Sequence, residues 1–283
     1  MRERDCPMNR QMYQSLTQFS AAALGAILLS FLALSTGSCV PTNDLKHRPA
    51  AGSTQNDYKT QGSVGNSASQ LLNGEVFDSL EVEVQPVGEA VPTQDSLISL
   101  VYFLEQTLHK PGGVRVRQNA PVPLPQLQGN ALLTSIPQWE KRWRKSQPFK
   151  KTTSLFLLYW EGASPEDSAT QQRFAQAYSQ SSVILYAPTL EKFSGGIGQV
   201  PRSLLEATVM QHEIGHLLGL VSGSSGSTHE DPQSIGHCSS PGCLMQANPL
   251  EAIQLSRSSP ADFGTRPPEL CDSCWEDLHR TRE

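Results

Sequence analysis

A surplus of positive charge is the first thing this sequence lacks: 22 Lys and Arg stand against 27 Asp and Glu, for a net charge of −5. A chain so balanced carries no electrostatic footprint for nucleic acid, and none is expected as a partner. The basic run Lys141-Arg142-Trp143-Arg144-Lys145 does not alter this. Clustered Lys and Arg on a helix usually form its solvated face, here with Trp139 and Trp143 packing inward. A long apolar run is also missing: Ala21 to Leu34 falls short of the roughly 20 residues that span a bilayer as a helix. The glycine-rich Ser194-Gly195-Gly196-Ile197-Gly198 lacks the Lys-Ser/Thr ending of a phosphate-binding loop and reads as a flexible connection. Aromatic residues are almost absent from Val40 to about Gly74, a stretch rich in Ser, Gln, Asn, Gly and Thr. Such a segment buries too little apolar surface to offset its ordering entropy, which excludes a packed domain there.

What the N-terminus does have is Arg2, Arg4 and Arg10 ahead of the apolar run, the layout of a secretory signal. The run leads into Leu34-Ser35-Thr36-Gly37-Ser38-Cys39, which resembles a bacterial lipobox, with Thr36 where that pattern usually has Leu. The expected organisation is a signal segment with lipobox over 1–39, a flexible linker over 40–75 and one folded domain over 76–283. Cys39 would carry the lipid and hold a monomeric domain at the membrane of a bacterial cell envelope; an ordinary cleaved signal, giving a secreted protein, is the alternative. Cys6 would leave with the signal, so Cys238, Cys243, Cys271 and Cys274 remain for the folded domain.

Inside that domain, Glu81-Val82-Glu83-Val84 alternates as a half-buried strand, and Ser96 to Leu108 reads as a helix with Leu97, Leu100, Val101, Leu104 and Leu108 on one side. Val114 to Arg117 is a short second strand. Leu127 to Lys145 looks helical in its second half and broken by Pro137. Ser154 to Trp160 is the strongest buried-strand signal, Asp167 to Ser179 favours helix, and Ser182 to Ala187 is a further strand. Lying just before the histidine-bearing helix, this last strand is expected at a sheet edge, where an extended peptide could pair with it.

The chemistry concentrates in Gln211-His212-Glu213-Ile214-Gly215-His216-Leu217-Leu218-Gly219. His212 and His216 stand four apart, so on a helix their imidazoles share one face about a turn apart and can grip one Zn²⁺. Glu213 lies beside them, where a carboxylate can take a proton from water. The helix reads without the motif as well: Ser203 and Glu206 fit a capping box, Leu204, Leu205, Val209, Leu217 and Leu218 supply apolar positions, and Gly219 can end it in a left-handed turn. The competing reading is a buried amphipathic helix with two satisfied histidines.

Two histidines leave a catalytic zinc one protein ligand short. Three residues after Gly219 stands Ser222, a poor ligand, and the next candidates are His229, beside Glu230 and Asp231, and His237. Glu230 and Asp231 could hydrogen-bond an imidazole or ligate themselves. From His237 the sequence runs His237-Cys238-x4-Cys243-x-Met245, with Cys271-x-x-Cys274 further on. This resembles the archaemetzincins, whose signature is H-E-x-x-H-x-x-G-x-x-H-C-x4-C-x-M followed by C-x-x-C, with about fifteen residues added here between Gly219 and His237. The likeness covers roughly Leu204 to Trp275. It implies a metzincin-like α/β (α+β) fold with a mixed twisted sheet, an active-site helix and a turn at Met245 beneath the metal. It also implies a catalytic zinc on three histidines, a second zinc on Cys238, Cys243, Cys271 and Cys274, and a peptide or protein substrate.

His237 is the preferred third ligand because its spacing to Met245 and its adjacency to a cysteine match that pattern; His229 is the alternative. For the four cysteines the competing account is two disulfides, as an oxidising compartment would allow. Gln246 stands where some metzincins place a tyrosine that assists the transition state. Two functions follow: a zinc peptidase with Glu213 as general base, or a zinc-binding envelope lipoprotein without turnover that serves as an interaction module. The serine at 222 is the feature that favours the second.

Overall fold

The structure, a computed structural model, describes residues 62–126, 131–169, 171–221, 228–257 and 266–282. The expected signal segment and lipobox with Cys39, and most of the expected linker, lie outside the described residues. Order begins earlier than the composition suggests. Residues Ala68–Leu72 form a short helix, α1, that buries Leu71 and Leu72, so the linker expected to reach residue 75 has given way to folded chain by then. Lys110 fixes this start: its Nζ donates to the carbonyls of Gln70 and Asn73, acceptors at the end of α1, and to that of Phe77 beyond it. Among the described residues no helix is long and apolar enough to cross a membrane.

The sheet has five strands, β1 (Ser79–Val87), β2 (Gly113–Gln118), β3 (Thr152–Trp160), β4 (Ala175–Ser179) and β5 (Ser182–Tyr186), in the order β2-β1-β3-β5-β4. All neighbours are parallel except β4, which runs antiparallel to β5. The α/β class expected from the sequence is what the chain adopts. Strand β3 shows why: Leu155, Leu157 and Tyr159 pack with one core cluster while Phe156, Leu158 and Trp160 pack with the other, so both faces are buried and the run is apolar without alternation. On the first face lie α2 (Gln94–Thr107) and α5 (Arg202–Leu217). On the second lies α3 (Ala131–Trp143), where Trp139 stacks on Trp160 at 5.2 Å and on Trp143 at 5.7 Å. The short helices α4 (Ala187–Phe193) and α6 (Pro249–Leu255) and the C-terminal α7 (Asp272–Arg282) complete the elements.

Several local expectations are overturned. Asp167 to Ser179, read as helix, ends instead in β4, because pairing with β5 satisfies its backbone and lets Tyr178 pack on the second core cluster. On this side of the sheet the edge strand is therefore β4, and the strand at 182–186 is flanked by β3 and β4. Helix α3 runs through Pro137. Its basic run is not wholly solvated: Arg144 is buried, ion-paired to Glu140 at 2.6 Å and bonded to the Ser154 carbonyl at 2.9 Å. The capping box does not form either. Pro201 caps α5, and Glu206 is fully buried, accepting from Thr93 N, Thr93 Oγ1, Tyr159 Oη and Arg202 Nε at 2.6–2.8 Å. A carboxylate with four donors there ties the start of α2, β3 and α5 together.

Candidate metal centre

Helix α5 brings His212, Glu213 and His216 within about one turn of one another, and its buried Leu204, Leu205, Val209 and Leu217 pack it into the core. Its C-terminus is set by Gly219 at φ +80: Gly219 N donates to His216 O at 3.1 Å and Leu220 N to Gly215 O at 3.0 Å, the paired bonds of a left-handed glycine stop. The described residues run to Val221 and resume at residue 228.

The returning loop 228–237 is held by its own backbone and acids. Asp231 N donates to His237 O at 2.7 Å, His237 N to Ser234 O at 3.0 Å and Gly236 N to Glu230 Oε1 at 2.6 Å, while Asp231 Oδ1 accepts from Gln233 N at 2.9 Å. Glu230 and Asp231, open at the sequence level as metal or imidazole partners, are thus used to shape the loop. Its product is the position of His237. The ring centroids of His212, His216 and His237 form a triangle with sides of 4.8, 5.2 and 5.3 Å, and one ring nitrogen from each lies within 4.8 Å of the other two. Nε2 of His212 and Nε2 of His216 are 3.1 Å apart.

Two of the imidazoles are oriented by carbonyls. His212 Nδ1 donates to Leu244 O at 2.8 Å, and His237 Nδ1 lies 3.3 Å from Ser234 O. A hydrogen bond at Nδ1 fixes the tautomer and frees the Nε2 lone pair of His212. Burial holds the pKa of His212 below its usual value; burial and the two neighbouring imidazoles hold that of His216 well below it; burial, then His212, lower that of His237. Three neutral imidazoles converging on one point are the donor set of a borderline-soft divalent cation, and the residues present fit zinc. Beneath them, Met245 is fully buried and packs where a Cβ on Gly215 would come within 2.3 Å of its sulfur, so the glycine between the two helix histidines makes room for the methionine. Sequence reading passed over Gly215; an isolated glycine inside a helical pattern is the signal that marks such a close approach.

Glu213 faces a cleft of about 530 Å³. One wall is Arg173, Phe174 and Ala175 at the entry to β4, and the other is Gln233, Ser234 and Ile235 of the loop. Its Oε2 accepts from Ala177 N of β4 at 2.7 Å, which anchors one oxygen; among the described residues no donor meets the other. Burial pushes its pKa up to about 7, against the Ala177 amide and the nearby His237 and Arg173, which pull it down. Gln246 turns back into its own turn, its Oε1 accepting from Gly242 N at 2.9 Å.

The other candidate third ligand goes elsewhere. His229 Nδ1 is 3.2 Å from Cys238 Sγ and its Nε2 donates to Asp277 Oδ2 at 3.0 Å, so it belongs with the cysteines and not with His212 and His216. The four thiols do converge: Cys238 and Cys271 are 3.6 Å apart at sulfur, Cys243 and Cys274 3.7 Å, and all four are free. The thiols of Cys243 and Cys274 donate to Cys238, which holds its pKa far below the usual thiol value and pushes that of Cys243 up to about 12.

No family model matches the sequence, and no curated protein matches it. Among solved structures, the archaemetzincin of Methanopyrus kandleri is similar at 18% identity over 72% of this chain and 96% of its own, with a TM-score of 0.41. A zinc-dependent peptidase of Methanocorpusculum labreanum is similar at 17% identity over 70% of this chain and 99% of its own, with a TM-score of 0.43. Metalloproteinase-II of Bacteroides fragilis reaches 11% identity over 75% of this chain and 56% of its own, with a TM-score of 0.37. Superpositions this loose carry no functional inference, which falls to the convergence of His212, His216 and His237 beside Glu213.

Proposed function

We propose that the chain is a zinc-dependent peptidase, with His212, His216 and His237 as the ligands of the catalytic ion and Glu213 as the general base. The observation that carries this reading is the triangle of three imidazoles, two of which, His212 and His237, line a cleft together with the Glu213 carboxylate. A Zn²⁺ held there would act as a Lewis acid, polarising a carbonyl and lowering the pKa of water. Glu213 does the proton work. Its unanchored oxygen takes the proton as water attacks the scissile carbonyl, and the same group passes it to the departing amine nitrogen. The Ala177 amide keeps the carboxylate from swinging away during that exchange. Strand β4, an edge of the sheet, borders the cleft through Ala175, so an extended peptide can add to it by main-chain hydrogen bonds that demand no particular side chain.

Glu213→Ala is the test. The variant should keep its metal and lose hydrolysis of a peptide library by at least about a hundredfold, as removal of a general base does; cleavage that survives the change refutes the role. The export reading is proposed with it: Cys39 as a lipid-bearing residue at the cell envelope. Metabolic labelling with a fatty acid, lost in Cys39→Ala, tests that separately.

A further inference from the structure

The loop 228–237 has an attachment besides His237. His229 lies in contact with Cys238 through Nδ1 and with Asp277 of α7 through Nε2, at 3.2 and 3.0 Å. Asp277 is only 2% exposed, and its other oxygen faces Arg280 at 3.2 Å. An imidazole that ligates a metal characteristically gives its second N–H to a carboxylate, which fixes tautomer and ring plane. A histidine merely resting on the surface of the loop has no use for a buried acid. The donor atoms of His229, Cys238, Cys271 and Cys274 all lie within 4.8 Å of one another, with Cys243 beside Cys274 as a fifth donor. A tetrahedral ion takes four.

We propose that His229, oriented by Asp277, ligates a second divalent metal through Nδ1, the set being completed by Cys238, Cys271 and Cys274 with Cys243 outside it. This differs from the four-cysteine site that the sequence resemblance implies. The ion then joins three separate segments: the loop through His229, the chain next to His237 through Cys238, and the start of α7 through Cys271 and Cys274. Ser239 N and Oγ both donate to His229 O at 2.9 Å, so the two ends of the loop are already closed on each other where the ion would bind. The metal would thereby fix the loop that delivers His237 and walls the cleft with Ile235.

Peptide hydrolysis plays no part in the test. In the full chain loaded with cobalt(II), the sulfur-to-cobalt charge-transfer bands arise at this site alone, because the three-histidine site has no thiolate, and their intensity counts the thiolates bound. Cys243→Ser should leave that intensity unchanged, whereas Cys271→Ser should lower it by about a third. His229→Cys, which keeps a donor in place, should raise it by about a third, and His229→Ala should weaken cobalt binding at least tenfold. The proposal is overturned if Cys243→Ser lowers the intensity, or if His229→Cys leaves the bands unchanged: either result makes His229 a hydrogen-bond partner of a four-thiolate ion.

Discussion

At the scale of single residues, position 215 is as demanding as the histidines around it. An added methyl would meet the Met245 sulfur at 2.3 Å inside a fully buried contact. Gly215→Ala would gain about 1 kcal/mol of helix propensity and still should destabilise the protein by about 1–3 kcal/mol, since overpacking forces the methionine or the helix to move. Thermal unfolding measures the net sign, and an unchanged or raised melting temperature would mean that Met245 does not bear on the helix. His212, Glu213 and His216 were legible in the sequence because a period of 3.6 converts spacing directly into proximity. His237 was legible by its distance to Met245. The destination of His229 was not: nothing local to the loop tells which of two clusters a histidine will reach, and Asp277 lies 48 residues away in α7. The orienting carbonyl of Leu244 and the amide of Ala177 carry no sequence signal at all, since every residue has both groups.

At the scale of elements, α5 is placed by its buried acid more than by any cap. Glu206 receives four donors from α2, β3 and α5, and none of them survives its removal. Glu206→Ala should cost roughly 1–3 kcal/mol, leaving the buried Thr93 and Tyr159 donors without their acceptor while Arg202 keeps Glu191 at 3.0 Å. The folded fraction should keep its metal, since the change lies more than a helical turn from His212; denaturant unfolding with metal analysis checks both halves, and loss of metal at unchanged stability would count against the assignment. Strands β1, β2, β3 and β5 and helices α2 and α5 were readable because their apolar patterns record which faces are buried. Strand β4 was misread for a physical reason. Its Ala and Gln residues favour helix in isolation, and the pairing with β5 that decides its state is invisible to local propensity. The same pairing made β4 an edge, which no inspection of residues 182–186 could reveal.

At the scale of the whole molecule, the cysteine cluster and the histidine triangle are neighbours in sequence through His237 and Cys238, and the C-terminal helix is fastened beside them by Cys271 and Cys274. Cys274 is fully buried. Cys274→Ser should lower the melting temperature first and activity only as folded protein is lost; a variant that stops turning over at an unchanged melting temperature contradicts that order. The proposed function depends on the three imidazoles holding one ion. The direct measurement is the zinc content of purified protein, kept from chelators, for the wild type and for His237→Ala. The expected result is a fall of about one ion per folded chain, the ligand lost being one of three at an open catalytic site. Zinc content that is identical in the two proteins, with His237→Ala fully folded, would contradict it.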